Sequence, residues 1–89
     1  MPKPPLTDED RRIGRALGAA LGARRDELDV TAEQVANDAG LPLDTLRRIE
    51  QGRVANPGLF TVAAVAERLG IHLGDLARDA RAQGRGAKP

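Results

Sequence analysis

Residues 31–52 read TAEQVANDAGLPLDTLRRIEQG. Thr31 followed three residues later by Gln34 is a capping box, in which each side chain satisfies a backbone N–H of the other, and it predicts a helix start. Val35, Ala36 and Ala39 then recur at helical spacing. Gly40 takes a left-handed backbone without a Cβ penalty, so it ends that helix sharply, and Leu41 follows as a buried plug. Leu46 and Ile49 give a second short helix its inward face. Leu43, Asp44, Arg47, Arg48 and Gln51 fall on the other.

A solvent-facing helix with adjacent arginines, propped on a short helix at a tight turn, is the build of a helix-turn-helix. Working outward from it, residues 1–6 hold three prolines and a lysine and read as a disordered lead-in. Thr7 and Asp10 form a second capping box, and Asp8, Glu9 and Asp10 suit the positive end of a helix dipole. The first helix is expected from near Asp8 to about Arg25, with Ile13, Leu17 and Leu21 inward. Gly14, Gly18 and Gly22 form a parallel stripe. Each costs a helix roughly 0.5–1 kcal/mol relative to alanine. Two readings stand: close approach of another helix, from this chain or a second copy, or a Gly/Ala-rich composition held by tertiary packing. Asp26–Val30 is a connector with Leu28 and Val30 turned inward.

Beyond Gly52, Arg53-Val54-Ala55 is a loop. Asn56-Pro57 supplies an N-cap and a proline at the first helical position. A fourth helix is expected from about Gly58 to Leu69, burying Leu59, Val62, Val65, Ala66 and Leu69. Phe60, the single aromatic, fills the centre or lies on a dimer surface. Gly70 stops that helix, and Leu76, Ala77 and Ala80 mark a short fifth one. The folded domain is expected over 7–82, with a flexible basic tail over 83–89. Arg78, Arg81, Arg85 and Lys88 against Asp79 make residues 77–89 basic, either as an arm adding phosphate contacts or as a solubilising tail. His72 reads as a cap or a solvated residue rather than a pH switch.

Eighty-nine residues make one domain with a small core. Without cysteine, disulfides and thiolate metal sites are excluded, and one histidine makes no metal cluster. No apolar run approaches the ~18 residues of a membrane span, and MPKPPLTDED has no apolar signal core, so a cytoplasmic protein is expected. No nucleophile–base pair, glycine-rich phosphate loop or ligand cluster points to an enzyme, and no cofactor is expected. The net charge of +1 decides nothing, so charge distribution has to.

Arg25, Thr31, Ala36, Gly40, Leu41, Ile49-Glu50-x-Gly52, Asn56-Pro57 and Leu69-Gly70-Ile71 occur in the order and spacing of one family. From about Ile13 to Leu76 the chain resembles the phage-repressor (Cro/CI, or XRE) helix-turn-helix family. The resemblance implies an all-α bundle of five short helices and a DNA-binding regulator, usually a repressor, acting as a two-fold dimer on a palindromic site. It further implies that Pro42, Leu43, Asp44, Arg47 and Arg48 reach base edges. Thr31, Thr45, Gln51, Arg53 and Asn56 match positions that meet sugar-phosphate. Arg25 and Glu50 match an ion pair joining the first helix to the end of the third.

The residue chemistry fits part of this. Arg47 and Arg48 can present two parallel donors to guanine O6 and N7 or grip a phosphate; their other reading is a solvated face. Leu43 can touch only a thymine methyl, and Asp44 can accept only from cytosine N4. Pro42 stands where the family usually has a polar N-cap, Ala32 where a glutamine is common and Asp29 where glycine is common. Residues 24–39 carry Asp26, Glu27, Asp29, Glu33 and Asp38 against Arg24 and Arg25, acidic for a surface near phosphates. The leading function is a sequence-specific transcriptional regulator inserting the helix at about 42–51 into the major groove of double-stranded DNA. The alternative is a protein-interaction module, or an antitoxin-like component, that keeps the fold and turns the same helix face to a protein partner.

Overall fold

Thr7 and Thr31 each accept the backbone N–H three residues on, while Asp10 and Gln34 accept the backbone N–H of the threonine, at 2.8–3.0 Å. From these starts the computed structural model, which describes residues 5–85, runs α1 (Asp8–Glu27) and α2 (Ala32–Ala39). They are followed by α3 (Leu43–Glu50), α4 (Leu59–Arg68) and α5 (Leu73–Gly84), an all-α bundle of five helices. Leu21, Val35, Leu46, Val65 and Leu69 are fully buried at its centre, with Ala36, Ile49, Val62, Ala66 and Leu76 around them. Each of the larger side chains gains about 1.5–3 kcal/mol from that burial. α1 lies along α5 on one side and α3 on the other, while α2 packs on α3 and α4.

The glycine stripe of α1 has a physical cause. A Cβ on Gly18 would run into the carbonyl oxygen of Ile49, and one on Gly14 would come within 2.8 Å of the Val54 oxygen. Glycine therefore lets α1 lie against the main chain at the end of α3 and in the loop after it. That is close approach within the chain. Gly22 is less constrained, with only the Glu50 side chain near it.

Gly40 is needed for conformation instead of space. It has φ 73°, and a Cβ there would meet nothing within 4 Å. Its position lets Leu41 donate back to the Ala36 carbonyl at 3.0 Å, closing α2 before the chain turns into α3. The same closure recurs at Gly52, Gly70 and Asp29. Asp29 is the one non-glycine described residue with positive φ, 56°.

Several expectations are corrected. α1 continues past Arg25 to Glu27, and Leu28, its C-cap, is 39% exposed instead of turned inward. Val30 is half-buried against the core. α4 is capped by Gly58 without a side-chain hydrogen bond, so Asn56 is not its N-cap and Pro57 precedes the helix. One turn later than expected, the apolar face of α4 begins at Val62, leaving Leu59 and Phe60 out of the core. α5 extends through Gln83 and Gly84, which the sequence assigns to the tail, because Gly84 lets α5 close on Ile13 of α1. Residues 1–4 of the lead-in and 86–89 of the tail lie outside the described residues. Among the described residues no helix is long and apolar enough to cross a membrane.

Candidate nucleic-acid interface

Leu46 and Ile49 fix α3 from below, and Arg25 fixes it from the side. The Arg25 guanidinium donates from Nε to Glu50 Oε2 at 2.9 Å and from the adjacent nitrogen to Oε1 at 3.0 Å. Its third nitrogen donates to the Val30 carbonyl at 3.0 Å. The two side chains are 19% and 13% exposed, so this parallel pair ties α1, the α1–α2 connector and the end of α3 together largely out of water. The hydrogen bond to Glu50 holds the Arg25 pKa above its ordinary value. Burial opposes that shift, and the charges of Glu50 and Asp26 add to it.

With its inner side anchored, α3 presents Asp44, Arg47 and Arg48 to solvent, and Gln51 is exposed at its C-cap. Arg47 borders an open cleft of about 640 Å³ whose other walls include Asp26, Asp29, Thr31 and Ala32. Arg48 points to the other flank, into a cleft of about 540 Å³ shared with Leu6, Arg53 and Asn56. The two arginines thus straddle α3. Arg48 Nε stands 3.7 Å from Asp44 Oδ2, a pair exposed enough to exchange freely with water or another anion. Among the described residues, no ion pair forms at Arg47 or Arg53, whereas Arg25 and Arg68 hold carboxylates within the fold.

The remaining residues divide by exposure. Thr31, Arg53 and Asn56 are exposed around the two clefts, and Thr45 is half-buried. Pro42 is the exposed N-cap of α3 and makes no capping hydrogen bond. Leu43 differs from its outward reading: it is half-buried and packs against the core. It lies close enough to Leu46 around the helix for the core to take part of its side chain. Asp26 and Asp29, which read in the sequence as part of an acidic stretch, share a cleft with Arg47. Leu6 joins the Arg48 cleft with no periodic pattern to foretell it.

This arrangement is that of proteins already known. A family model described as a helix-turn-helix domain matches residues 16–80. The structure is similar to that of the clp gene regulator ClgR from Corynebacterium glutamicum, with TM-score 0.73 and 26% identity, over 94% of this chain and 81% of that one. A comparison with curated proteins finds no match. The turn at Gly40, the anchored α3 and the family match over most of the bundle lead to one conclusion: the chain belongs to the helix-turn-helix domain family, of the phage-repressor (Cro/CI) type.

Proposed function

We propose that this chain is a sequence-specific DNA-binding transcriptional regulator, a repressor acting as a homodimer, that sets α3 in the major groove. One observation carries the reading. Arg47 and Arg48 stand exposed on a helix whose opposite side, Leu46 and Ile49, is locked into the core. A guanidinium offers paired donors to guanine O6 and N7, and a rigid helix is what lets such a pair discriminate by about 1–3 kcal/mol. Asp44 accepts from cytosine N4, and the exposed part of Leu43 and Pro42 meets a thymine methyl. Thr31, Thr45, Gln51, Arg53 and Asn56 take the sugar-phosphate on either side. At the start of α2, the positive end of the helix dipole faces the same cleft as Arg47. The likeness to ClgR, a gene regulator by its name, supports the same reading.

The test is fluorescence anisotropy with duplex from the protein's own promoter region at two salt concentrations. Specific binding should exceed that to scrambled duplex and weaken steeply between about 50 and 200 mM salt. The double variant Arg47→Glu, Arg48→Glu should abolish binding while leaving the helical circular-dichroism signal and melting midpoint intact. A folded double variant that binds as tightly as wild type refutes the groove assignment.

A further inference from the structure

The basic run that the sequence offers as an arm or a tail lies, in its described part, on α5. Arg78, Arg81 and Arg85 fall at i, i+3 and i+7, one exposed stripe about 10 Å long that ends at the C-cap. With the small residues Gly74, Ala77 and Ala82 they line an open cleft of about 370 Å³. Arg81 makes no ion pair among the described residues. Arg78 stands 3.4 Å from Asp75 and Arg85 3.8 Å from Glu9, loose pairs at exposed positions that give way to a better-placed carboxylate.

Along the edge of the stripe runs an apolar groove of about 350 Å³ between α1, α4 and α5, lined by Ile13, Leu17, Leu59, Leu73 and Ala77. Ala77 and Arg81 border both the groove and the arginine cleft, so the two make one continuous surface. Leu59 and Phe60 stand at its α4 end, 63% and 85% exposed. This surface is remote from α3, because α5 closes on Ile13 of α1 while α3 packs on the Gly18 side of the same helix. Nothing in the DNA reading uses it.

We propose that this face docks an acidic amphipathic helix of another protein, its apolar side in the groove and its carboxylates on Arg78, Arg81 and Arg85. Two features select that occupant. A helix laid along α5 can repeat glutamates at the same i, i+3, i+7 spacing, so each carboxylate meets one guanidinium, and such charge-assisted pairs are strong and directional. The groove meanwhile calls for apolar side chains on the neighbouring side of the same partner, which an amphipathic helix carries. A nucleic-acid backbone would satisfy the arginines and leave the groove, Leu59 and Phe60 in water. A patch of this size falls below the roughly 1,200 Å² of stable interfaces, so the contact is weak, reversible and salt-sensitive. Docking needs no DNA and leaves α3 free, so one chain can hold a duplex and this partner together.

The test is fluorescence anisotropy of a labelled synthetic peptide of about 15 residues, leucine on one helical face and glutamate at i, i+3 and i+7 beside it. It is titrated with the full chain from about 1 μM to about 1 mM. Wild type should bind saturably, and at least about tenfold more weakly when the glutamates become glutamine or the leucines become serine. Arg78→Glu with Arg81→Glu should lose at least about tenfold in affinity and gain affinity for a peptide with lysine in place of glutamate. Its melting midpoint should stay close to wild type, because both side chains are exposed. Leu59→Ser should weaken binding of the glutamate peptide to wild type and of the lysine peptide to the reversed variant. Wild type without saturable binding overturns the proposal, as does an R78E/R81E variant that still holds the glutamate peptide or fails to switch to the lysine one. The Arg47→Glu, Arg48→Glu variant should keep the peptide while losing duplex. If it still binds duplex and loses it only when Arg78 and Arg81 are reversed as well, the stripe is a nucleic-acid surface and the acidic helix is refuted.

Discussion

Replacing Gly18 with alanine sets two effects of known size against each other. Inside a helix alanine is favoured over glycine by about 0.5–1 kcal/mol. At residue 18, however, the added Cβ would overlap the Ile49 carbonyl oxygen and stand 3.0 Å from its carbon and 3.1 Å from the Glu50 oxygen. These are main-chain atoms of the last turn of α3, so no rotamer change relieves them and α3 must back away from α1. Overpacking of that kind costs about 1–3 kcal/mol, occasionally more. The clash wins, and a net loss of roughly 1–2 kcal/mol is expected. For a domain of this size each kcal/mol lowers the melting midpoint by about 4–8 °C. Gly22→Ala is the control on the same helix. Its Cβ would meet only the Glu50 side chain, at 3.4 Å and beyond, so the helix preference should prevail and stability should hold or rise by up to about 1 kcal/mol. Urea and thermal unfolding followed by circular dichroism measure both. G18A melting at or above wild type, or G22A losing as much as G18A, would refute the claim that backbone proximity is the reason for glycine.

Three further outcomes are expected. Glu50→Ala leaves the Arg25 guanidinium with the Val30 carbonyl as its one protein acceptor among the hydrogen bonds it now makes, which should cost a few kcal/mol, at most about 3–5, in urea melts; an unchanged midpoint removes the pair from the account. Because the folded Arg25 pKa is raised, its contribution is fully present below the ordinary arginine range and is lost only as pH rises through the folded value. Wild-type melts should therefore show no pH dependence from this group through the neutral range, and a titration there that disappears in E50A would contradict this. Asp29→Asn keeps a side chain tolerated at left-handed φ and removes a negative charge from the Arg47 cleft, so duplex affinity should rise; a fall in anisotropy-measured affinity would mean that the carboxylate helps binding.

The helix starts at Thr7 and Thr31 and the stop at Gly40 were legible because each is decided locally, by side chains three residues apart or by one left-handed residue. The inward faces of α2 and α3 were legible for a related reason: periodicity reports the face that packing buries. What failed depended on partners far along the chain. Asn56-Pro57 is a good local start for a helix, yet α4 begins later because the face that joins the core is Val62, Val65 and Ala66, packed with α2 and α5, and that register leaves Leu59 and Phe60 outside. Gly18 and Gly40 look alike in sequence, but one is there for the space beside Ile49 and the other for its φ. The arginines were hardest to sort. Arg12 and Arg24 donate to the carbonyls of Gly84 and Leu69 at the ends of α5 and α4, and nothing in their neighbours separates them from Arg47 or Arg53. For the candidate site, the resemblance supplied positions, while periodicity alone put Leu43 with the outward residues.

The dimensions of α3 bear on why the proposed regulator would need a second copy. Eight residues at about 1.5 Å each make a rod of about 12 Å, against a rise of about 3.4 Å per base pair. On the proposed reading, one α3 in the groove would span only three or four base pairs, with Arg47 and Arg48 as its strongest readers. A site that short recurs throughout any genome, where some 10⁶–10⁹ competing positions are on offer. The electrostatics do not compensate, because Asp26, Asp29 and Asp44 stand among the arginines and hold down sequence-independent attraction to phosphate. On that reading a lone copy would be both weakly attracted and poorly discriminating. Pairing two copies on one duplex roughly squares the discrimination, and a weak protein–protein contact suffices because the duplex holds both copies at high effective concentration. Low attraction to random DNA then becomes an advantage, since it lowers the competition that a paired site must overcome. On this argument a duplex carrying two half-sites should be bound at least tenfold more tightly than one carrying an isolated half-site. Equal anisotropy-measured affinity for both would refute the homodimer reading.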